Sequence, residues 1–226
     1  MSDYKKRIIS GIKGLSGAYS PYNVFSDWVC CCSISMANTA TLFRGKVWED
    51  REKTYMDTLE RYPDPKAVET EFARMMYLLL LWLEADMTDA LGEIYMELDI
   101  GNKYTGQFFT PFHVSEMCAR IALEDYLKNY KGDLIKLNEP SVGGGGMVIA
   151  AAKILKEAGI NYQKKLKVVA QDLDWKGVYM SHLQFSMLGI QAYIYQGDTL
   201  SDPFTDIRHV EPERVMATPA IMGVLL

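Results

Sequence analysis

The sequence predicts an α/β protein in two parts, a helical bundle over residues 1–104 followed by an α/β domain built on a parallel sheet over residues 105–226. Three observations predict it. The first hundred or so residues show apolar side chains at helical spacing, few β-branched alternations and no glycine-rich turn after Gly17. Gly101 and Gly106 then bracket a change of style. Beyond them short apolar runs alternate with amphipathic helical stretches, the pattern of strands joined by helical crossovers.

Taken in order, Ser20-Pro21 reads as a helix start with proline at the first helical position, and the periodicity carries on to about Phe43. A second helix is predicted from Trp48 to Tyr62, ended by Pro63 and Pro65. A third, very apolar one spans Ala67 to Asp86, and a shorter one runs from Asp89 to about Leu98. The stripe Val114, Met117, Cys118, Ile121, Ala122 and Tyr126 predicts a helix over 112–129. Strands are predicted at 134–137, 166–170 and 192–195, with helices at 147–157 and 175–188 between them. Such alternation implies a parallel sheet with helices on both faces.

The composition, 49% hydrophobic and 23% charged, is that of a chain able to bury a core without metal or disulfide staples. A net charge of -5 works against nucleic-acid binding, which needs clustered Lys and Arg to neutralise phosphates. The basic clusters Lys5-Lys6-Arg7 and Lys164, Lys165 and Lys167 read as solvated faces, so tight DNA binding would need a partner or an uneven charge distribution. Cys30, Cys31 and Cys32 are adjacent and Cys118 is distant, which gives neither a disulfide framework nor zinc-ligand spacing. The longest apolar run, Met75 to Leu83, is far too short to cross a bilayer, and the chain opens on charged residues rather than a signal-peptide core. A cytoplasmic protein that binds no membrane and no metal is expected.

The most informative segment is Glu139-Pro140-Ser141-Val142-Gly143-Gly144-Gly145-Gly146, which follows a strand and opens a helix. Glycines let the chain turn tightly and let a ligand approach closely, while the helix start offers free N–H groups. Gln171-Asp172 closes the next strand, where a carboxylate matches the vicinal hydroxyls of a ribose, and Asp174 is the better placed residue to cap the following helix. A third strand ends at Gly197-Asp198-Thr199-Leu200, again with a carboxylate at the ligand-binding edge of the sheet. Three acidic strand ends would repel a pyrophosphate and tolerate a sulfonium. S-adenosyl-L-methionine therefore fits better than NAD.

These residues, with Gly106-Gln107-Phe108-Phe109-Thr110-Pro111 ahead of them, resemble the N-6 adenine-specific DNA methylases, especially the modification subunits of type I restriction-modification systems. The resemblance covers about residues 66–210. It implies a Rossmann-like S-adenosylmethionine-dependent methyltransferase sheet, here truncated, behind the helical bundle. It also implies roles. Phe108, Phe109 and Thr110 would hold the methionine end; Glu139, Ser141, Gly143 and Gly145 would line the methionine and ribose side; Asp172 would bind the ribose hydroxyls; Asp198 would accept from the adenine amino group. On the residues alone, Phe108 and Phe109 could equally be core, and Thr110 could cap the helix at Pro111.

The chain departs from the family pattern in two places. Val142-Gly143-Gly144-Gly145 stands where the family has Cys-Gly-Ser-Gly, which keeps the shape and loses a hydroxyl. The catalytic Asn/Asp-Pro-Pro-aromatic motif is absent, and its nearest equivalent is Thr218-Pro219-Ala220-Ile221. There Thr218 would stand for the polar acceptor, Pro219 for the following proline and Ile221 for the aromatic that stacks a flipped adenine. The expectation is a cofactor-binding, DNA-methylase-like protein with methyl transfer in doubt. The alternative is an inactive homologue that binds cofactor, DNA or a partner and regulates a restriction system. DNA, a specificity subunit or another copy of the chain are the expected partners.

Overall fold

Three helix starts in the N-terminal half, at Ser20, Asp64 and Asp89, are set by a short polar side chain followed by proline or alanine. The structure, a computed structural model, describes residues 3–41, 44–99, 108–204 and 207–223. Gly101, Gly106 and Gln107 lie outside these described residues. Helix α1 (Asp3–Leu15) buries Ile8, Ile9 and Ile12. In α2 (Pro21–Ala40) the Ser20 hydroxyl accepts from the Asn23 N–H and Pro21 sits at the first position, as the Ser-Pro pair predicts. After α3 (Lys46–Leu59), helix α4 (Pro65–Ala85) begins earlier than expected. Pro65 is its first residue and Asp64 caps the Ala67 N–H, so this proline starts a helix instead of merely ending one. Helix α5 (Ala90–Asp99) follows directly.

The second half begins with α6 (Phe112–Lys128) and runs through β1 (Ile135–Glu139), α7 (Gly146–Glu157), the one-turn α8 (Tyr162–Lys165), β2 (Leu166–Asp172), α9 (Trp175–Leu188) and β3 (Gln191–Gln196). Two 3-10 turns lead to the short β4 (Val215–Ala217). The sheet order is β1-β2-β3-β4. The first three strands are parallel, with Leu137 opposite Val168 and Val168 opposite Ala192.

Two features differ from expectation. Right-handed crossovers that step in one direction across a sheet place their helices on the same face. Accordingly Leu166, Val168, Ala170, Ala192 and Ile194 are buried on one face, while Lys136, Asn138 and Lys167 are exposed on the other and Val169 and Tyr193 are half-buried there. Among the described residues helices therefore cover one face, not both. The second difference is β4, which pairs antiparallel with β3, Ala217 lying opposite Tyr193.

The helical half and the sheet share one continuous core. Trp28, Phe25 and Met75 from the bundle and Val178, Leu183 and Phe185 from α9 belong to the same buried cluster. Helix α9 lies between the sheet and α2. Its His182 is hydrogen-bonded to Ser33 of α2 at 2.8 Å and to the Ala217 carbonyl at 3.2 Å. Each large side chain buried in such a core contributes about 1.5–3 kcal/mol relative to exposure. The glycine turn and the C-terminal ends of the three parallel strands are thus held on a rigid base.

Candidate functional site: an acidic cleft at the strand ends

The β1–α7 turn is shaped by two glycines with left-handed backbone, Gly143 at φ 51° and Gly145 at φ 96°. The Val142 N–H donates to the Gln171 carbonyl, and the Gly143 N–H donates to Asp172 Oδ2 at 2.7 Å. Asp172 Oδ1 accepts from the Asp174 N–H at 2.9 Å, and Asp174 caps α9 at the Lys176 N–H as its position predicts. The Asp172 carboxylate thereby joins the turn to the end of β2. Each of its oxygens retains a further lone pair for a ligand donor.

Around this turn opens a cleft of ≈ 680 Å³ at the C-terminal ends of β1, β2 and β3. It is lined by Phe108, Phe109, Thr110, Ser141, Gly143, Asp172 and Asp198, seven of the residues expected from the sequence. Glu139 and Gly145 are not in its wall. The Glu139 carboxylate turns back to accept from the Ser141 N–H of its own loop, and burial pushes it up from the usual carboxylate range. Gly145 lies under Phe185, whose ring would meet a Cβ there.

The two phenylalanines divide between the alternatives left open by the sequence. Phe109 is half-buried, packs edge-on against Tyr95 at 4.7 Å and covers Gly143. Phe108 is 79% exposed at the cleft mouth. Thr110 lines the cleft and does not cap α6, whose first turn has no side-chain cap. Asp198 is held at the entrance by the Leu200 N–H and the Ser201 hydroxyl, each at 3.0 Å, and these donors keep its carboxyl below the usual range.

Thr218, Pro219 and Ile221 are elsewhere. Because β4 runs against β3, Thr218 reaches the N-terminal end of β3, where its hydroxyl donates to the Ile190 carbonyl at 2.8 Å and accepts the Ala192 N–H at 3.0 Å. Thr218 is fully buried. The four residue steps from Ala192 to Gln196 separate it from the cleft end of that strand by roughly 13 Å at strand rise. The expected substrate-side role for these three residues is corrected accordingly: Thr218 anchors a strand end.

Sequence reasoning gave no site role to Asp89, Ser115, Met147 and Leu173 in the wall, and named Leu200 only as part of a strand-end motif. Asp89 was legible only as a helix start and Ser115 only as part of a helix; the two leucines follow strand-end acids and are 68% and 95% exposed. Among the described residues the wall holds Asp89, Asp172 and Asp198 and no Lys, Arg or His, so the described part of the cleft carries three carboxylates and no cation. Such a site suits a ligand bearing positive charge and hydroxyl or amino donors, with a flat ring held between exposed apolar side chains. It disfavours phosphates.

The fold is similar to that of a methyltransferase subunit of a type I restriction-modification system from Streptococcus thermophilus, at 14% identity and a TM-score of 0.47, over 92% of this chain and 60% of that one. It is also similar to DszA carbon methyltransferase, at 18% identity and a TM-score of 0.31, over 90% of this chain and 67% of that one. The chain thus spans less than two thirds of the length of the first of these. No curated protein matches the sequence. Residues 87–221, more than half of the chain and inclusive of the whole cleft wall, match the N-6 DNA Methylase family, and the chain belongs to that family.

Proposed function

We propose that this chain is the S-adenosylmethionine-binding part of a DNA adenine-N6 methyltransferase of restriction-modification type. The observation that carries the proposal is the cleft with three carboxylates, and no cation among the described residues, over a glycine turn at three parallel strand ends. The residues present fit the cofactor. Thr110, Ser141 and the Gly143 turn would take the methionine end, Asp172 the ribose hydroxyls and Asp198 the adenine amino group, with Leu173 and Leu200 beside the ring; that all of them line one cleft supports this reading. When bound, S-adenosylmethionine supplies a methyl group activated by its sulfonium. The chain's own residues bind and orient it, and the three carboxylates favour the cationic cofactor over neutral competitors.

Methyl transfer also needs a group that accepts from the target amine and a face on which the flipped base stacks. Thr218 and Ile221 are at the other end of β3, which supports the second reading: a cofactor-binding homologue whose substrate side is supplied by another polypeptide or is not used. DNA and a specificity-type subunit are the partners this reading calls for, since the net charge of -5 gives the chain little affinity for phosphates by itself. Transfer of a labelled methyl group to unmethylated DNA separates the two. Incorporation by the chain alone at more than background supports the autonomous enzyme; cofactor retained in equilibrium dialysis without incorporation supports the binding reading. Absence of both overturns the proposal.

A further inference from the structure

Where the helical bundle meets the glycine turn, the cleft wall holds two polar groups that the roles above leave unused. Asp89 is 4% exposed. Its Oδ1 accepts from the Gly92 N–H at 2.9 Å and from Gln184 Nε2 at 2.8 Å. Its Oδ2 receives no hydrogen bond among the described residues. Ser115, on α6, is fully buried, and its hydroxyl has no partner among the described residues. A buried hydroxyl left unpaired is costly, and such groups in a cleft wall point to a missing ligand.

The two groups converge on the glycine turn in the cleft wall. A Cβ on Gly146 would lie 3.1 Å from Asp89 Oδ2 and 3.5 Å from Ser115 Oγ, and one on Gly144 would lie 2.9 Å from both Asp89 oxygens. The absence of side chains on these glycines lets both groups approach the turn. Helix capping accounts for Asp89 Oδ1 alone; it explains neither the free Oδ2 nor the orphaned hydroxyl. Burial raises the Asp89 carboxyl, as expected for a carboxylate with no cation beside it.

We infer that Asp89 Oδ2 and Ser115 Oγ form an ammonium-binding subsite that takes the α-ammonium of an amino-acid-bearing ligand. The inference rests on the cofactor reading of the cleft and assigns its amino-acid end. An ammonium offers three donors and full positive charge, which satisfies both acceptors and neutralises the carboxylate. The helical bundle then contributes directly to the binding site through the residue that starts α5.

The test is calorimetric titration of wild type, Asp89→Asn and Ser115→Ala with S-adenosylhomocysteine and with 5′-methylthioadenosine, which lacks the amino-acid end. Asparagine keeps the Oδ1 acceptor and caps helices as well as aspartate, so the fold is retained. Asp89→Asn is expected to weaken S-adenosylhomocysteine roughly ten- to hundredfold and 5′-methylthioadenosine by less than about twofold. Ser115→Ala is expected to weaken only S-adenosylhomocysteine, by roughly threefold or more, without lowering Tm; it decides the matter if Asp89→Asn fails to fold. Unchanged S-adenosylhomocysteine affinity in the folded variants, or equal loss of both ligands, overturns the inference and leaves the cofactor reading intact. Wild type that binds neither ligand overturns both.

Discussion

Asp172 holds two backbone N–H groups, one from the glycine turn and one from its own strand end, so its role in shape and its role toward a ligand are inseparable. Asp172→Ala strands the Gly143 N–H and is expected to cost about 1–3 kcal/mol in urea unfolding, whatever it does to binding. His182 makes a second prediction. Burial pushes its imidazole down to about 4 from an ordinary value near 6.5, with Arg51 adding to the effect and the hydrogen bond to the Ala217 carbonyl opposing it. Between these values the unfolded chain binds the proton and the folded chain does not. Its contribution to stability is therefore intact above pH 6.5 and falls by about 3 kcal/mol as the pH drops toward 4. Asp27 and Asp89, raised by burial, act in the opposite sense, so the difference between wild type and His182→Gln isolates the histidine. A stability–pH profile equally steep in the two proteins over that window contradicts this. At this scale the positions of Asp172, Asp198 and Gly143 at the strand ends were legible, because a strand-end position constrains where a residue can stand. Asp89 was not legible as a cleft residue, since the contact that brings it to Gly144 and Gly146 joins distant segments.

Elements were read well wherever local chemistry decided them. Ser20-Pro21, Asp174 and the glycine turn each act through neighbours within four residues, and the expected helix or strand is present in each case. Pro65 was read as a stop although the Asp64 cap makes it a start, and β4 could not be paired from sequence because its direction depends on β3. The turn between β1 and α7 offers a direct check. Gly145→Ala forces a left-handed backbone on a residue with a Cβ and places that carbon 2.5 Å from Phe185, so a loss of about 2 kcal/mol or more is expected in thermal or urea unfolding. The cysteines of α2 offer another. Burial pushes Cys30 up to about 12 and Cys31 and Cys32 higher still, so a charged disulfide reagent at pH 8 should react in the native state with Cys118 on α6 and leave the α2 thiols until unfolding. Rapid labelling of more than one thiol would show that α2 is not packed against α9 as described.

At the scale of the molecule, the division at residues 104 and 105 is one of chain style, and the core crosses it. Trp28 in the bundle and Leu183 in α9 lie in one buried cluster, and the acidic cleft has walls from both sides of the boundary. Unfolding should accordingly show a single transition, with tryptophan fluorescence and far-ultraviolet circular dichroism coincident, and Trp28→Ala should lower the stability by about 3–5 kcal/mol in both. No described helix is long and apolar enough to cross a membrane. The fold class and the cleft edge of the sheet were legible because alternation of period and acidic strand ends are local signals. The pairing of the last strand was not, because it depends on which neighbour β4 selects. The most direct test of the account is calorimetric titration of the wild-type chain and Asp172→Ala with S-adenosylmethionine. The account predicts saturable one-to-one binding that the substitution weakens roughly tenfold or more while the protein stays folded. No heat at millimolar cofactor, or equal affinity in the two proteins, would contradict it.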